Sequence, residues 1–66
     1  MTLNIEFNLG PESDALFNDL MKAHEGLKRE QSEQLNAGLI LLLMNHIGDP
    51  EVIRAAICRA GATLER

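Results

Sequence analysis

The sequence predicts an all-α protein, a small three-helix bundle preceded by an extended amino-terminal arm. Three observations predict it. Apolar residues recur at spacings of three and four over most of residues 12–61. Gly26 and Gly48 divide that stretch into pieces of helix length. Asp49-Pro50-Glu51 then supplies a complete helix start: a capping side chain, a proline at the first position and an acid in the first turn.

In residues 1–9, Leu3, Ile5, Phe7 and Leu9 alternate with Thr2, Asn4, Glu6 and Asn8, the period of a half-buried strand. Gly10-Pro11 ends the pattern. A lone strand leaves its backbone groups unpaired. Residues 1–10 are therefore expected either as an arm packed across the helices through its odd-numbered side chains, or as a short strand paired with the same segment of another subunit.

The first helix is expected over about 12–25, with Ser13 as candidate cap and Pro11, Glu12 and Asp14 suited to a helix start. Leu16, Phe17, Leu20, Ala23, His24 and Leu27 form its apolar face, and Gly26 closes it in the left-handed conformation. The second is expected over about 30–47, opening on Glu30, Gln31, Glu33 and Gln34, which suit the positive end of the helix dipole, and ending at Gly48. The third is expected over about 50–61, with Val52, Ile53, Ala56, Ile57, Ala60 and Leu64 on its apolar side. Gly61 weakens its last turn, so fraying is expected beyond Ala60. Short links predict antiparallel neighbours.

The second helix is the unusual element. One seam holds Leu35, Leu39, Leu42 and His46; a second holds Asn36, Ile40, Leu43 and Ile47; a third holds Ala37, Leu41 and Met44. A surface helix shows one apolar stripe, so this one should be central, with a side left over for a second chain.

Size points the same way. A single domain of 66 residues and 7.3 kDa should fold to a surface of about 4,200 Å², from about 10,600 Å² unfolded. The gain from apolar burial and the cost of ordering the chain are each on the order of 100 kcal/mol and cancel. Such a domain calls for a staple, a metal or another chain. Cys58 is the single cysteine, so no internal disulfide forms, and it stands far in sequence from His24 and His46, without zinc-site spacing. Tight packing and oligomerisation remain, and a homodimer is favoured.

The net charge of −4, with six scattered basic residues, argues against nucleic-acid binding. The longest apolar run, Leu39–Met44, is far shorter than the roughly 20 residues of a membrane span. No secretory signal is read at the amino terminus, and the unpaired thiol fits a reducing compartment, so a cytoplasmic location is expected.

No phosphate-binding loop, nucleophile elbow or paired-carboxylate motif is present, so no catalytic residue is assigned and neither enzymatic activity nor a cofactor is expected. Cys58 reads as a small apolar filler or an inert surface thiol, since no histidine is near it in sequence. His24, beside Glu25, reads either as a helix-end residue satisfying free carbonyls or, with His46, as part of a two-histidine metal or ligand site. Antiparallel packing would set those histidines at opposite poles, so only a dimer could unite them. Otherwise His46 is expected to bond the carbonyls left open at the end of the second helix, with Asn45 fixing the turn. Asn36 is either a register-fixing polar residue at the entry to an apolar seam or simply exposed. Gly38 lies mid-helix at a cost of about 1 kcal/mol against alanine, which close approach of another backbone would explain. With Leu39 and Leu42, these residues are the interface candidates.

Ala23-His-Glu-Gly-Leu27, followed by Leu35-Asn-Ala-x-Leu-Ile-Leu-Leu-Leu-x-Asn-His-Ile-Gly-Asp49, resembles a small family of uncharacterised bacterial proteins, a domain of unknown function, over roughly residues 14–57. The family pattern carries a serine after Ala-His-Glu-Gly-Leu that would cap the second helix; here Lys28 stands in its place. The resemblance implies no catalytic assignment. It implies an accessory role beside bacterial catabolic enzymes encoded nearby, flavin-dependent oxygenases among them. The function expected is thus a non-catalytic helical module that associates with itself or with such an enzyme. The alternatives are a metal or ligand site across a dimer and, last, a nucleic-acid-binding regulator.

Overall fold

A computed structural model of the chain describes residues 3–64. Its architecture is all-α as the sequence predicts. Three helices follow one another, α1 (Ser13–Ala23), α2 (Arg29–Ile47) and α3 (Pro50–Ala62), with a 3-10 turn at Gly10–Glu12 leading into the first.

The segment ahead of α1 departs from its period-two pattern. Among the described residues there is no strand. Asn4 instead accepts from the Glu6 N–H through its side-chain oxygen (3.0 Å), and the Asn8 N–H donates to the Glu6 carbonyl (2.8 Å). The first is the side-chain alternative that asparagine offers to a ladder with no partner, and the second is a backbone turn. Of the arm's odd-numbered side chains, Leu3 is half-buried, Ile5, Phe7 and Leu9 are exposed, Phe7 by 75%, and Leu9 borders α1 and α2. The part of the expected arm at residues 1–2 lies outside the described residues.

Ser13 is not the cap of α1. The backbone is already helical at Leu9 and Glu12, and the Ser13 N–H bonds back to Gly10, so the 3-10 turn feeds directly into the helix. Gly26, at φ +73°, makes the left-handed turn expected of it, directly after the tightened exit through His24 and Glu25.

Lys28 is extended and begins α2 without accepting a backbone bond, as a lysine must. Half of a capping box still forms, because Gln31 Oε1 accepts the Lys28 N–H at 2.9 Å. Gly48 (φ +66°) closes α2 by donating its N–H to the Met44 carbonyl at 2.9 Å. Asp49 then caps α3, accepting from Glu51 (3.0 Å) and Val52 (3.4 Å) ahead of Pro50 at the first position. α3 runs through Gly61 to Ala62 rather than fraying at Ala60, and the Thr63 hydroxyl donates to the Ala60 carbonyl at 2.8 Å.

The bundle is open. No two of the three α-helices lie against each other along their lengths, so the antiparallel packing expected from the short links is not made within the chain. Its surface is 6043 Å², well above the roughly 4,200 Å² of a compact chain this size. The radius of gyration is 13.7 Å against about 11 Å for a compact domain. No described side chain is fully buried.

Candidate functional site

The opening between α1 and α2 is a larger cleft than the one at the joint of α2 and α3, and its vertex is built from three side chains. His24 follows the last residue of α1, while Ser32 and Asn36 stand one turn apart on one face of α2. Asn36 Oδ1 lies 3.1 Å from His24 Nε2 and Ser32 Oγ lies 2.9 Å from Nδ1. An amide oxygen only accepts, so Nε2 carries a hydrogen and donates to Asn36. In the neutral ring Nδ1 then accepts from the Ser32 hydroxyl. Both ring nitrogens are occupied, and the ring pins the end of α1 to the opening turns of α2.

From that vertex the helices diverge around a cleft of about 1050 Å³. Leu16, Phe17, Leu20 and Ala23 form the α1 wall, and Leu35, Gly38, Leu39, Leu42 and Leu43 form the α2 wall. Leu9 from the arm closes one edge, and Ser13, Asp19 and Gln34 supply its polar lining. A Cβ built on Gly38 would meet nothing within 4 Å, so no backbone of this chain uses the approach that glycine permits.

A smaller cleft of about 480 Å³ lies at the joint of α2 and α3, between Met44, Asn45, Pro50, Ile53, Arg54 and Ile57. Asn45 therefore lines a different surface from Leu39 and Leu42. His46, near the end of α2, is exposed and has no hydrogen-bond partner among the described residues.

The residues singled out from sequence thus fall into separate places. Asn36 and His24 come together. Gly38, Leu39 and Leu42 line one cleft, Asn45 the other, and His46 stands apart. His46 lies 14 residues beyond Ser32 on the same helix, about 21 Å at 1.5 Å per residue, so it and His24 share no site within the chain. Glu25 is exposed in the turn after α1. Among the described residues no group of three or more His, Cys, Asp or Glu side chains could hold a metal ion. Cys58 is exposed, an accessible thiol rather than a buried filler. No helix among the described residues is long and apolar enough to cross a membrane.

Ser32 is the functional-site residue that sequence reasoning missed. Its signal was present: Ser32 precedes Asn36 by one helical turn, and both continue the seam of Ile40, Leu43 and Ile47 toward the helix start.

The profile of DUF2783, described as a protein of unknown function, matches residues 1–62. The chain belongs to that family. No curated protein and no solved structure matches the chain. The DUF2783 match spans the arm, all three helices and both clefts, so the open architecture lies within the family's extent. It assigns no chemistry to this DUF2783 chain.

Proposed function

We propose that this protein is a non-catalytic helical association module, whose task is to pair with another polypeptide, its own copy or an enzyme partner, and to complete its core by doing so. One observation carries the reading. Leu39, Ile40, Leu41, Leu42 and Leu43 are consecutive in α2, and each is between 36% and 71% exposed. Successive helical residues are turned by about 100°, so five of them sweep the entire circumference. Apolar surface on every side of one helix is what a buried helix carries.

The surface in excess of a compact chain supports the same reading, as does the absence of any fully buried side chain among the described residues. The rival reading, a metal or ligand site built from His24 and His46, has less support because Ser32 and Asn36 already engage both nitrogens of His24.

The test is thermal melting followed by circular dichroism over a hundredfold range of protein concentration. An associating module gains stability by mass action, so its midpoint rises with concentration. A cooperative melt of constant midpoint across that range, with no partner polypeptide accompanying the natively purified protein, would remove the proposal.

A further inference from the structure

We infer that the cleft between α1 and α2 receives α2 of a second copy of this chain, giving an interlocked two-fold dimer. The inference rests on the association reading and names the partner and the place.

The cleft needs an apolar, uncharged occupant, because Leu16, Phe17 and Leu20 face Leu35, Leu39, Leu42 and Leu43 across it. The chain itself carries such a segment. Gly38–Ile47 contains no Asp, Glu, Lys or Arg, and Ile40, Leu41 and Ile47, which do not line the cleft, are all at least half exposed. The length also matches. Ten helical residues span about 15 Å, and α1, the shorter wall of the cleft, has 11 residues, about 16 Å.

Area gives a second, independent argument. The 6043 Å² surface exceeds that of a compact chain by roughly 1,800 Å². Two copies covering that excess bury roughly 3,600 Å² in total, inside the range of obligate homodimers. A small rim contact would leave most of it exposed.

Two-fold symmetry makes the exchange reciprocal: α2 of one protomer enters the cleft of its partner, whose α2 enters the first. The centre is then a four-helix arrangement of two α1 and two α2 helices. Gly38 gains its purpose there. It lines the cleft with open space before it, so the incoming helix can approach its backbone closely.

Sedimentation equilibrium of the full chain between about 1 and 100 μM decides the matter, with helicity checked by circular dichroism for every variant. The expected mass is twice that of the 7.3 kDa chain. Leu42→Glu places a charge in the cleft and should raise the dimer dissociation constant at least about 100-fold. Gly38→Leu fills part of the cleft from a position whose Cβ has open space in this chain and should do the same. Ile57→Glu, exposed and outside this cleft, should change it less than about threefold. A helical monomer at 100 μM, a trimer or larger species, or a dimer broken by Ile57→Glu but not by the two cleft variants would each overturn the inference. Those results leave the association reading standing where melting still depends on concentration or a partner polypeptide accompanies the natively purified protein. A constant melting midpoint with no such partner removes both.

Discussion

At the scale of single residues, His24 carries the most structural information in the chain. It ties two helices with two hydrogen bonds that neither neighbouring backbone supplies. A side-chain bond of this kind contributes about 1 kcal/mol net. His24→Ala should therefore destabilise the protein by about 1–2 kcal/mol, and Asn36→Ala by about half as much. A double-mutant cycle on the pair, read by chemical denaturation, should give a coupling of about 0.5–1 kcal/mol. Full additivity would mean the ring and the amide do not interact. Half of this constellation was legible in the sequence, since Asn36 stood out as a polar entry to an apolar seam. Ser32 did not stand out, because a serine near the start of a polar helical turn looks like any solvated residue until the imidazole opposite is in place. The same holds for His24: its helix-end position was readable, its partners eight and twelve residues away were not.

At the scale of elements, local chemistry decided what could be foreseen. Asp49, Pro50 and Gly48 act through atoms within three or four residues, so their roles follow from spacing alone. Asp49→Ala removes the side chain that accepts two backbone N–H groups and should cost about 1 kcal/mol, a fall of roughly 4–8 °C in melting temperature. The arm shows the opposite case. Its alternation of apolar and polar residues describes a strand, but a strand is a property of two segments, and the Asn4 side chain and a backbone turn between Glu6 and Asn8 take its place. Ser13 failed as a cap because Gly10 and Pro11 had already begun the helical path. The two glycines of α2 and its exit should answer alanine with opposite signs. Gly48→Ala forces a side chain into the left-handed region, at about 1–2 kcal/mol. Gly38→Ala has room within the chain and should stabilise the isolated helix by about 1 kcal/mol. Circular dichroism in a Leu42→Glu background, where assembly does not enter, separates the two: helicity rises for Gly38→Ala and falls for Gly48→Ala.

At the scale of the whole molecule, three apolar seams on one helix foretold that cover would be short, and the chain indeed leaves all three partly exposed. Short links also suggested helices folded back on one another, which the chain does not do. A short link limits how far apart two helix ends can be and says nothing about the angle between them; the angle is set by packing, and packing needs enough partners. Apolar cover rather than charge should govern association. Raising salt from 50 to 500 mM is expected to move the dissociation constant less than about threefold, since screening acts on exposed charges. Isothermal calorimetric dilution at several temperatures should show a negative heat-capacity change for assembly. A steep salt dependence would point to ion pairs instead.

The uncovered girdle of Leu39–Leu43 also sets a clock. Until it is covered, the newly made chain displays five adjacent aliphatic side chains to every protease and chaperone it meets. At micromolar abundance and an association rate constant of about 10⁶ M⁻¹s⁻¹, the search for cover lasts about a second. At nanomolar abundance it lasts many minutes. On the association reading, the lifetime of this protein is governed by how quickly its counterpart finds it, and a shortage of that counterpart is expected to register first as disappearance of the chain.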